Sequence, residues 1–332
     1  MAGVLIIAEA AGEQLAPTAQ ELASEGRRIA DQLEQPLVAF LAMQNGAGVA
    51  ASLGAYGVER VLVADEPTDE GPGGPLVPVS PEWRVAAAQQ AVRQVQPSVI
   101  LLTHTAAGRE LGPQLAYRLG TGIVTDCTAL RVEGGQVIMT KPVYGGSAIS
   151  EQTVTSHPQI ATLRPRAFQA AEPREGKQAP VEHLAVQVES PRVQVLEEIR
   201  EQVTAGPRLK DAKIVVSGGR GLGAPDNWKA VDELAAVLGA AVGASRAVTD
   251  AGWVPASHQV GLTGATVAPD LYIAIGISGA VQHVAGITGA RSVVAINRDP
   301  EANIFKYARF GVVGDWKEIL PAFTQRLSET RS

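Results

Sequence analysis

Residues 271–283 read LYIAIGISGAVQH, an apolar run followed at once by small residues and a histidine. The run Leu271–Ile275 is short and rich in branched side chains, which is typical of a buried β-strand. Ser278 is predicted to open a helix. Small residues at a helix start leave backbone N–H groups free, and together with the helix dipole these suit a phosphate group. His283 lies one turn further on, within reach of a ligand.

The chain from Lys213 onward repeats this order of short apolar run, glycine loop and amphipathic helix. Such alternation predicts a doubly wound α/β domain, flavodoxin-like or Rossmann-like, with helices on both faces of a parallel sheet. Ligands in this fold bind outside the carboxyl ends of the strands. The predicted strands are Ile214–Val216, Leu271–Ile275, Ser292–Ile296 and Val312–Val313, and the predicted helices include Asn227–Leu238 and Trp316–Leu327.

Residues 1–205 are predicted to form a first α/β domain and residues 206–332 the second, because Gly206 and Pro207 break the chain between them. Apolar runs alternate with amphipathic helices at first, which predicts a parallel sheet. After Thr121, consecutive short strands predict an antiparallel extension of that sheet. The predicted strands are Val4–Ala8, Pro36–Leu41, Val61–Ala64, Ser98–Thr103, Thr125–Val132, Gln136–Tyr144, Ala148–Thr155, Gln159–Leu163 and His183–Val188, and the helices are Thr18–Leu33, Pro81–Val95 and Arg192–Val203.

The composition argues against several classes of protein. The formal net charge is −6, from 28 Lys and Arg against 34 Asp and Glu, which argues against a nucleic-acid binder. Cys127 is the single cysteine, so no internal disulfide forms, and we expect a buried, inert thiol. The chain has no uncharged apolar run of about 18 residues and no basic start before its first apolar run, so neither a membrane span nor a signal peptide is expected. We therefore expect a cytoplasmic protein.

Glycine loops and polar side chains follow the predicted strands of the second domain. The first loop, residues 217–225, carries Arg220 and is neither a G-x-G-x-x-G fingerprint nor a Walker A loop, so by itself it also fits a tight turn. Asn297 and Asp315 are well placed for ribose or adenine hydrogen bonds, and Asp315 is also a typical helix N-cap. Residues 243–264 form a long glycine-rich loop, which is typical of a functional site. Together these loops predict a site for a large dinucleotide.

These motifs resemble the electron transfer flavoprotein α-subunit family in sequence, order and spacing. The resemblance covers the whole chain, and it is most specific over residues 213–315. The motifs that carry it are 217–223, 243–255, 259–264, 271–283 and 294–305 in the second domain, and 15–22, 103–113 and 163–168 in the first.

The resemblance implies an electron carrier that is not an enzyme by itself. The family pairs this subunit with a β subunit and holds FAD mainly in the second domain of α. AMP, or a second FAD in a complex that bifurcates electrons, is expected in β. Members take electrons from flavin dehydrogenases, such as the acyl-CoA dehydrogenases of fatty acid β-oxidation, and pass them to a membrane quinone oxidoreductase or another acceptor.

The family motif carries FAD contacts onto named positions of this chain. By resemblance, Ser278 and Gly279 meet the pyrophosphate, and Thr263 offers its hydroxyl to flavin N5. Arg246 lies beside the ring, and His283 faces its N1–C2=O side, where reduction places negative charge. The full set of expected FAD contacts, with Asn297 and Asp315 on the adenosine half, is Arg220, Ser245, Arg246, Val260, Gly261, Leu262, Thr263, Ser278, Gly279, Ala280, Val281, Gln282, His283, Asn297, Asp315 and Trp316.

Some positions depart from the family's usual residues. Leu262 stands where the family usually has Gln, which removes a polar group next to the flavin loop. Trp316 replaces a usual Leu, Ser147 a usual Asn, and Arg309-Phe310 a usual Asp-Tyr. None of these changes removes a charged flavin contact.

Two alternatives stay open because the doubly wound fold hosts many functions: a subunit of an NAD- or thiamine-dependent enzyme, and a non-redox nucleotide-binding protein.

Overall fold

The structure, a computed structural model, describes residues 3–11, 14–43, 46–65, 81–186, 207–209 and 212–331. These residues form two compact units. The first unit contains the described residues up to 186 except 144–147, and the second contains 144–147 and the described residues from 207 onward. The predicted boundary at Gly206 and the predicted helix Arg192–Val203 lie outside the described residues.

The first unit is built on a parallel sheet. Its strands are β1 (Val4–Ala8), β2 (Ala10–Ala11), β3 (Gln14–Leu15), β4 (Leu37–Ala42), β5 (Arg60–Ala64), β6 (Val99–Thr103), β7 (Ile123–Cys127), β8 (Ala129–Glu133), β9 (Gln136–Val143), β10 (Ala148–Gln152), β11 (Gln159–Leu163) and β12 (Val181–His183). Its helices are α1 (Pro17–Gln32), α2 (Ala47–Ala51), α3 (Pro81–Val95) and α4 (Ala106–Leu119), with a 3₁₀ helix at Ser52–Tyr56. The seven-stranded sheet has the order β12-β5-β4-β1-β6-β11-β7 with every pairing parallel.

Helices cover both faces of this sheet. Leu22 and Ile29 of α1 are buried in the core on one face, and Trp83 of α3 and Leu115 of α4 are buried on the other. A strand buried on both faces needs apolar side chains at every position, which is why the predicted strands are continuous apolar runs.

The predicted fold class is confirmed, and the structure corrects two details of the first unit. The predicted strand Thr125–Val132 is two strands, β7 and β8, which belong to different sheets. Gln159–Leu163, which we grouped with the antiparallel strands, is β11 and lies parallel between β6 and β7. The antiparallel part is a separate sheet in the order β10-β9-β8.

The second unit has a smaller parallel sheet. Its strands are β13 (Ile214–Gly218), β14 (Ala241–Ala244), β15 (Leu271–Ile275), β16 (Val293–Asn297) and β17 (Phe310–Val313), and its helices are α5 (Lys229–Leu238), α6 (Arg246–Thr249), α7 (Val281–Val284) and α8 (Trp316–Arg331). The 3₁₀ helices are Tyr144–Gly146, Arg220–Leu222, Pro225–Trp228, Ala256–His258 and Asn303–Lys306. The sheet order is β14-β13-β15-β16-β17, again with parallel pairings, which is the flavodoxin-like order.

Two parts of the second unit differ from the sequence prediction. Strand β14 was not predicted, and its last two residues, Gly243 and Ala244, were placed in the long loop, because the sequence Ala-Val-Gly-Ala gives little apolar signal. The helix predicted to open at Ser278 begins at Val281 instead. Gly279 has a φ of +82°, which no right-handed helix contains, so it delays the helix start.

Candidate functional site

The carboxyl ends of the five parallel strands in the second unit lie at one edge of the sheet. The pairing register places Gly218 of β13 opposite Ala244 of β14 and Ile275 of β15, and Asn297 of β16 opposite Val313 of β17. Asn297 is the last residue of β16, and the other predicted FAD contacts lie on the loops and helix starts that follow the strand ends. The structure therefore places all of these residues at the same edge of the sheet, where contact with FAD is our prediction.

The chain changes direction across the sheet between β13 and β15, and the loops after these two strands touch. Gly221 N–H donates to the Gly276 carbonyl at 3.0 Å, and Gly219 N–H donates to the Ile275 carbonyl at 2.8 Å. A Cβ on Gly221 would lie 2.7 Å from the Gly276 oxygen, so the loops pack backbone against backbone. In doubly wound sheets this switch point is where ligands bind.

The loop after β15 offers backbone donors to a ligand. Among the described residues, no acceptor takes the N–H groups of Gly279, Ala280, Val281 or Gln282. The loop is fixed to the 3₁₀ helix Asn303–Lys306, because Ile304 N–H donates to the Ser278 carbonyl at 3.1 Å. Consecutive free N–H groups on a fixed loop suit the oxygens of a pyrophosphate.

Asn297 uses its side chain within the protein. Its Nδ2 donates to the Ile277 carbonyl at 2.9 Å, and its Oδ1 accepts from Asp299 N–H at 3.0 Å. The amide therefore ties the loop after β15 to the end of β16. Its direct role toward an adenosine group stays a prediction.

A cavity of about 320 Å³ opens at the end of the edge that holds β16 and β17. Asn297, Asp315 and Trp316 line it together with Gly221 and Gly276. Asp315 Oδ1 accepts from Lys317 N–H at 2.9 Å, so Asp315 caps α8 as its residue type indicated. Among the described residues, no donor takes Oδ2 of Asp315, so this oxygen is available to a ligand in the cavity.

Arg246 and Leu262 are exposed at the same edge. The Arg246 side chain is 66% exposed, and its Nε lies 3.1 Å from Oδ2 of Asp250, one helical turn later. Leu262 is 68% exposed, and its N–H donates to the Gln282 carbonyl at 2.7 Å. Val260 N–H donates to the Ala244 carbonyl at 2.9 Å, which fixes this loop to the end of β14.

His283 is buried, with 6% of its surface exposed. Its Nε2 lies 2.9 Å from the hydroxyl of Tyr272, the second residue of β15. Its Nδ1 is buried and makes no hydrogen bond of ordinary geometry to the described residues. Burial lowers the pKa of His283 to about 4, and the Val260 carbonyl opposes that shift only in part. His283 is therefore neutral at neutral pH.

Two residues of this edge were missed by the sequence analysis. Tyr272 was included in a strand without a role, although a tyrosine in a fully buried strand needs a partner for its hydroxyl. Gln259 was quoted in a motif without a role. It bonds Thr249 and Thr263, which both lie at this edge.

His104, in the first unit, is hydrogen-bonded within the protein. Its Nδ1 lies 2.8 Å from the Thr162 hydroxyl, and burial lowers its pKa. Cys127 is fully buried, and burial raises the pKa of its thiol to about 12, as expected for an inert cysteine. Within the described ranges, no group of acidic, histidine or cysteine side chains forms a metal site. No helix among those residues is long and apolar enough to cross a membrane.

Comparison with known families covers both units. The model of the electron transfer flavoprotein domain matches residues 4–189, and the model of the electron transfer flavoprotein FAD-binding domain matches residues 208–288. The second match includes the loops after β13, β14 and β15.

Curated relatives match over nearly their full length. The electron transfer flavoprotein subunit alpha of Bacillus subtilis (strain 168) is 37% identical, covering 98% of this chain and 97% of its own. Protein FixB of Clostridium saccharobutylicum is 38% identical, covering 98% and 96%. Among solved structures, a thiamin diphosphate-dependent enzyme from Mycobacterium smegmatis overlaps 98% of this chain and 59% of its own, at 15% identity and a TM-score of 0.23. A likeness that slight supports no argument.

Proposed function

This chain belongs to the electron transfer flavoprotein α-subunit family, and on that premise we propose that it binds FAD at the carboxyl edge of its second unit and carries electrons between other proteins. The family is one of electron carriers and not of classical enzymes. The FAD-binding domain model that matches residues 208–288 supports FAD in particular, and the backbone of the loop after β15 suits its pyrophosphate. The free N–H groups of this loop, from Gly279 to Gln282, lie beside the switch point of a flavodoxin-like sheet.

The residues present fit a dinucleotide of this kind. The glycine contacts between the loops after β13 and β15 leave no room for side chains, so a ligand can approach the backbone closely. The cavity lined by Asp315 and Trp316 suits the adenosine end.

Bound FAD would supply the redox chemistry, because its ring accepts and releases electrons. Arg246 would place a permanent positive charge near the ring and favour the added electron. His283, neutral at neutral pH, would contribute a dipole rather than a full charge. Ser278 and Gly279 would hold the pyrophosphate, and Asn297 would keep their loop in place through the Ile277 carbonyl.

The partner in this proposal is a β subunit that holds AMP or a second FAD. Flavin dehydrogenases of the acyl-CoA dehydrogenase type are the proposed donors, and a quinone oxidoreductase is the proposed acceptor. The relatives that support this pairing are named as alpha subunits. We further expect the chain without its partner to be poorly stable or to lose FAD.

The experiment is co-expression with the neighbouring β-subunit reading frame, followed by flavin and AMP analysis. We expect a yellow heterodimer with flavin absorption, about one FAD on the α chain, and AMP or a second FAD in β. A colourless preparation that binds NAD would contradict the proposal. Gel filtration of the singly expressed chain tests the pairing, since a stable monomer that keeps FAD would count against it.

A further inference from the structure

Gln259 joins two parts of the site edge through its side chain. Its Oε1 accepts from the Thr249 hydroxyl at 3.0 Å, and its Nε2 donates to the Thr263 hydroxyl at 2.8 Å. The backbone of Gln259 is also fixed, because its carbonyl accepts from Ala265 N–H at 2.7 Å and its N–H donates to the Ala256 carbonyl at 3.0 Å. Both polar atoms of the Gln259 side chain and both polar atoms of its backbone therefore form hydrogen bonds.

This contact decides what the Thr263 hydroxyl can still do. A threonine hydroxyl has one hydrogen to donate and two lone pairs that accept. Gln259 occupies one lone pair, and among the described residues no acceptor takes the hydrogen. Thr263 is exposed, so that hydrogen is available to an acceptor outside the chain. Accepting a hydrogen bond also makes the hydroxyl a better donor.

The same amide connects Thr263 to Arg246. The Thr249 hydroxyl shares its single hydrogen between the Arg246 carbonyl and the Gln259 oxygen, each at 3.0 Å. Thr249 ends the helix that Arg246 begins. Gln259 thus sets the distance between two groups that we expect at the flavin ring, the Thr263 hydroxyl and the short helix that begins at Arg246.

We propose that Gln259 is a positioning residue that aims the Thr263 hydrogen at the unprotonated N5 of the flavin. The inference rests on the proposed FAD site, and it adds a residue outside the expected contacts. The amide nitrogen of Gln259 faces Thr263, so Thr263 accepts from the protein and donates to the cofactor. A reversed amide would take the Thr263 hydrogen and leave N5 without a donor.

The test uses the α–β heterodimer reconstituted with FAD that carries ¹⁵N at N5. The variants are Gln259→Glu, Gln259→Met and Thr263→Val, and the readout is the ¹⁵N resonance of N5 together with FAD content. In Gln259→Glu the carboxylate accepts the Thr263 hydrogen, so N5 loses its donor. We expect its resonance to move most of the way from wild type toward Thr263→Val, with FAD still bound at about one per heterodimer. Gln259→Met leaves the hydrogen on Thr263 but removes its anchor, so its resonance should lie between wild type and Gln259→Glu.

Three results overturn the inference while the FAD site stands. A wild-type resonance in FAD-loaded Thr263→Val means that Thr263 does not donate to N5. An unchanged resonance in Gln259→Glu means that the amide is reversed or that it does not orient the Thr263 hydroxyl. Equal shifts in Gln259→Glu and Gln259→Met mean that Gln259 only orders the loop. Failure of the proposed function is different: the wild-type heterodimer would bind no FAD.

Discussion

The hydroxyl of Tyr272 lies 2.9 Å from Nε2 of His283, and both side chains are buried in the second unit. The two rings are tilted by 58°, with their centroids 6.0 Å apart, so the contact is a hydrogen bond between ring edges and not a stack. It satisfies the hydroxyl of the second residue of β15 and fixes the orientation of an imidazole at the site edge. The candidate site thereby rests on the core of the sheet.

Acid should weaken the fold through His283. Its pKa is about 4 in the folded chain against an ordinary 6.5. Between these two values the imidazole is protonated in the unfolded chain but stays neutral in the folded chain. The free energy of unfolding should fall by roughly 2 kcal/mol between about pH 7 and pH 5 from this residue. Urea unfolding of wild type and His283→Gln at both pH values measures it. A variant that loses as much stability as wild type would show that His283 does not carry the effect.

Removing the Tyr272 hydroxyl should destabilise the second unit. Tyr272→Phe leaves Nε2 of His283 buried without a partner, which costs about 1–3 kcal/mol. Tyr117→Phe is the matched control, because Tyr117 is 87% exposed and should change stability by less than about 0.5 kcal/mol. Urea unfolding compares the two, and similar effects would mean that the Tyr272–His283 bond adds nothing.

Arg246 and Asp250 should move the flavin potential in opposite directions. A guanidinium about 4 Å from the added charge gives at most about 4 kcal/mol at an effective dielectric of ~20, or roughly 170 mV. Solvent also stabilises the added charge, so Arg246→Ala should lower the first reduction potential by on the order of 100 mV. Arg246→Lys should recover part of it. Asp250→Asn should raise the potential by less, because it removes the carboxylate that Arg246 faces.

Spectroelectrochemical titration of the flavin-loaded heterodimer decides this prediction. The double variant Arg246→Ala with Asp250→Asn should stay closer to Arg246→Ala than the two single shifts would sum to. An unchanged potential in fully loaded Arg246→Ala would show that Arg246 is only a surface ion pair.

Gly279 should tolerate no side chain. Its φ is +82°, and a Cβ there would overlap the backbone nitrogen of Ile304. Gly252 has a similar φ of +69° with open space around it, so Gly252→Ala isolates the conformational cost, about 1–2 kcal/mol. Gly279→Ala should cost at least about 1 kcal/mol more and lose FAD on gel filtration. Equal stability and equal FAD content in the two variants would contradict the close packing.

The Cys127 thiol should be inert in the native protein. It is fully buried, and its pKa is raised to about 12, so little thiolate forms near pH 8. Ellman's reagent should label it only after denaturation, whereas a Cys placed at exposed Ala170 should react at once in Ala170→Cys. Rapid labelling of native wild type would disprove the burial.

The sequence predicted several elements to the residue. Val4–Ala8, Pro81–Val95 and Leu271–Ile275 have the bounds that the structure gives them. The two strands lie in parallel sheets covered on both faces, so burial imposes a continuous apolar run. The helix has an apolar face that packs on the sheet, so its residues repeat with the helical period. Elements with such a pattern can be predicted from the local sequence alone.

Other elements depended on distant contacts. Gln159–Leu163 reads as a strand, but its parallel place between β6 and β7 is set by pairing across the fold. The Gln159 side chain accepts from Val137 N–H at 2.9 Å, a contact that no local pattern reveals. Ala241–Ala244 is a strand because β13 pairs with it and not because its small residues favour one.

The site divides in the same way. The sequence by itself determined which loops meet, because strand ends followed by glycines and polar residues converge at one edge of a doubly wound sheet. Only the tertiary structure decided which polar groups are already used: the Asn297 amide by Ile277 and Asp299, and Nε2 of His283 by Tyr272. The reason is physical. A hydrogen bond depends on the distance and angle between two atoms in space, and side chains far apart in the chain are brought within 3 Å only when the strands pair.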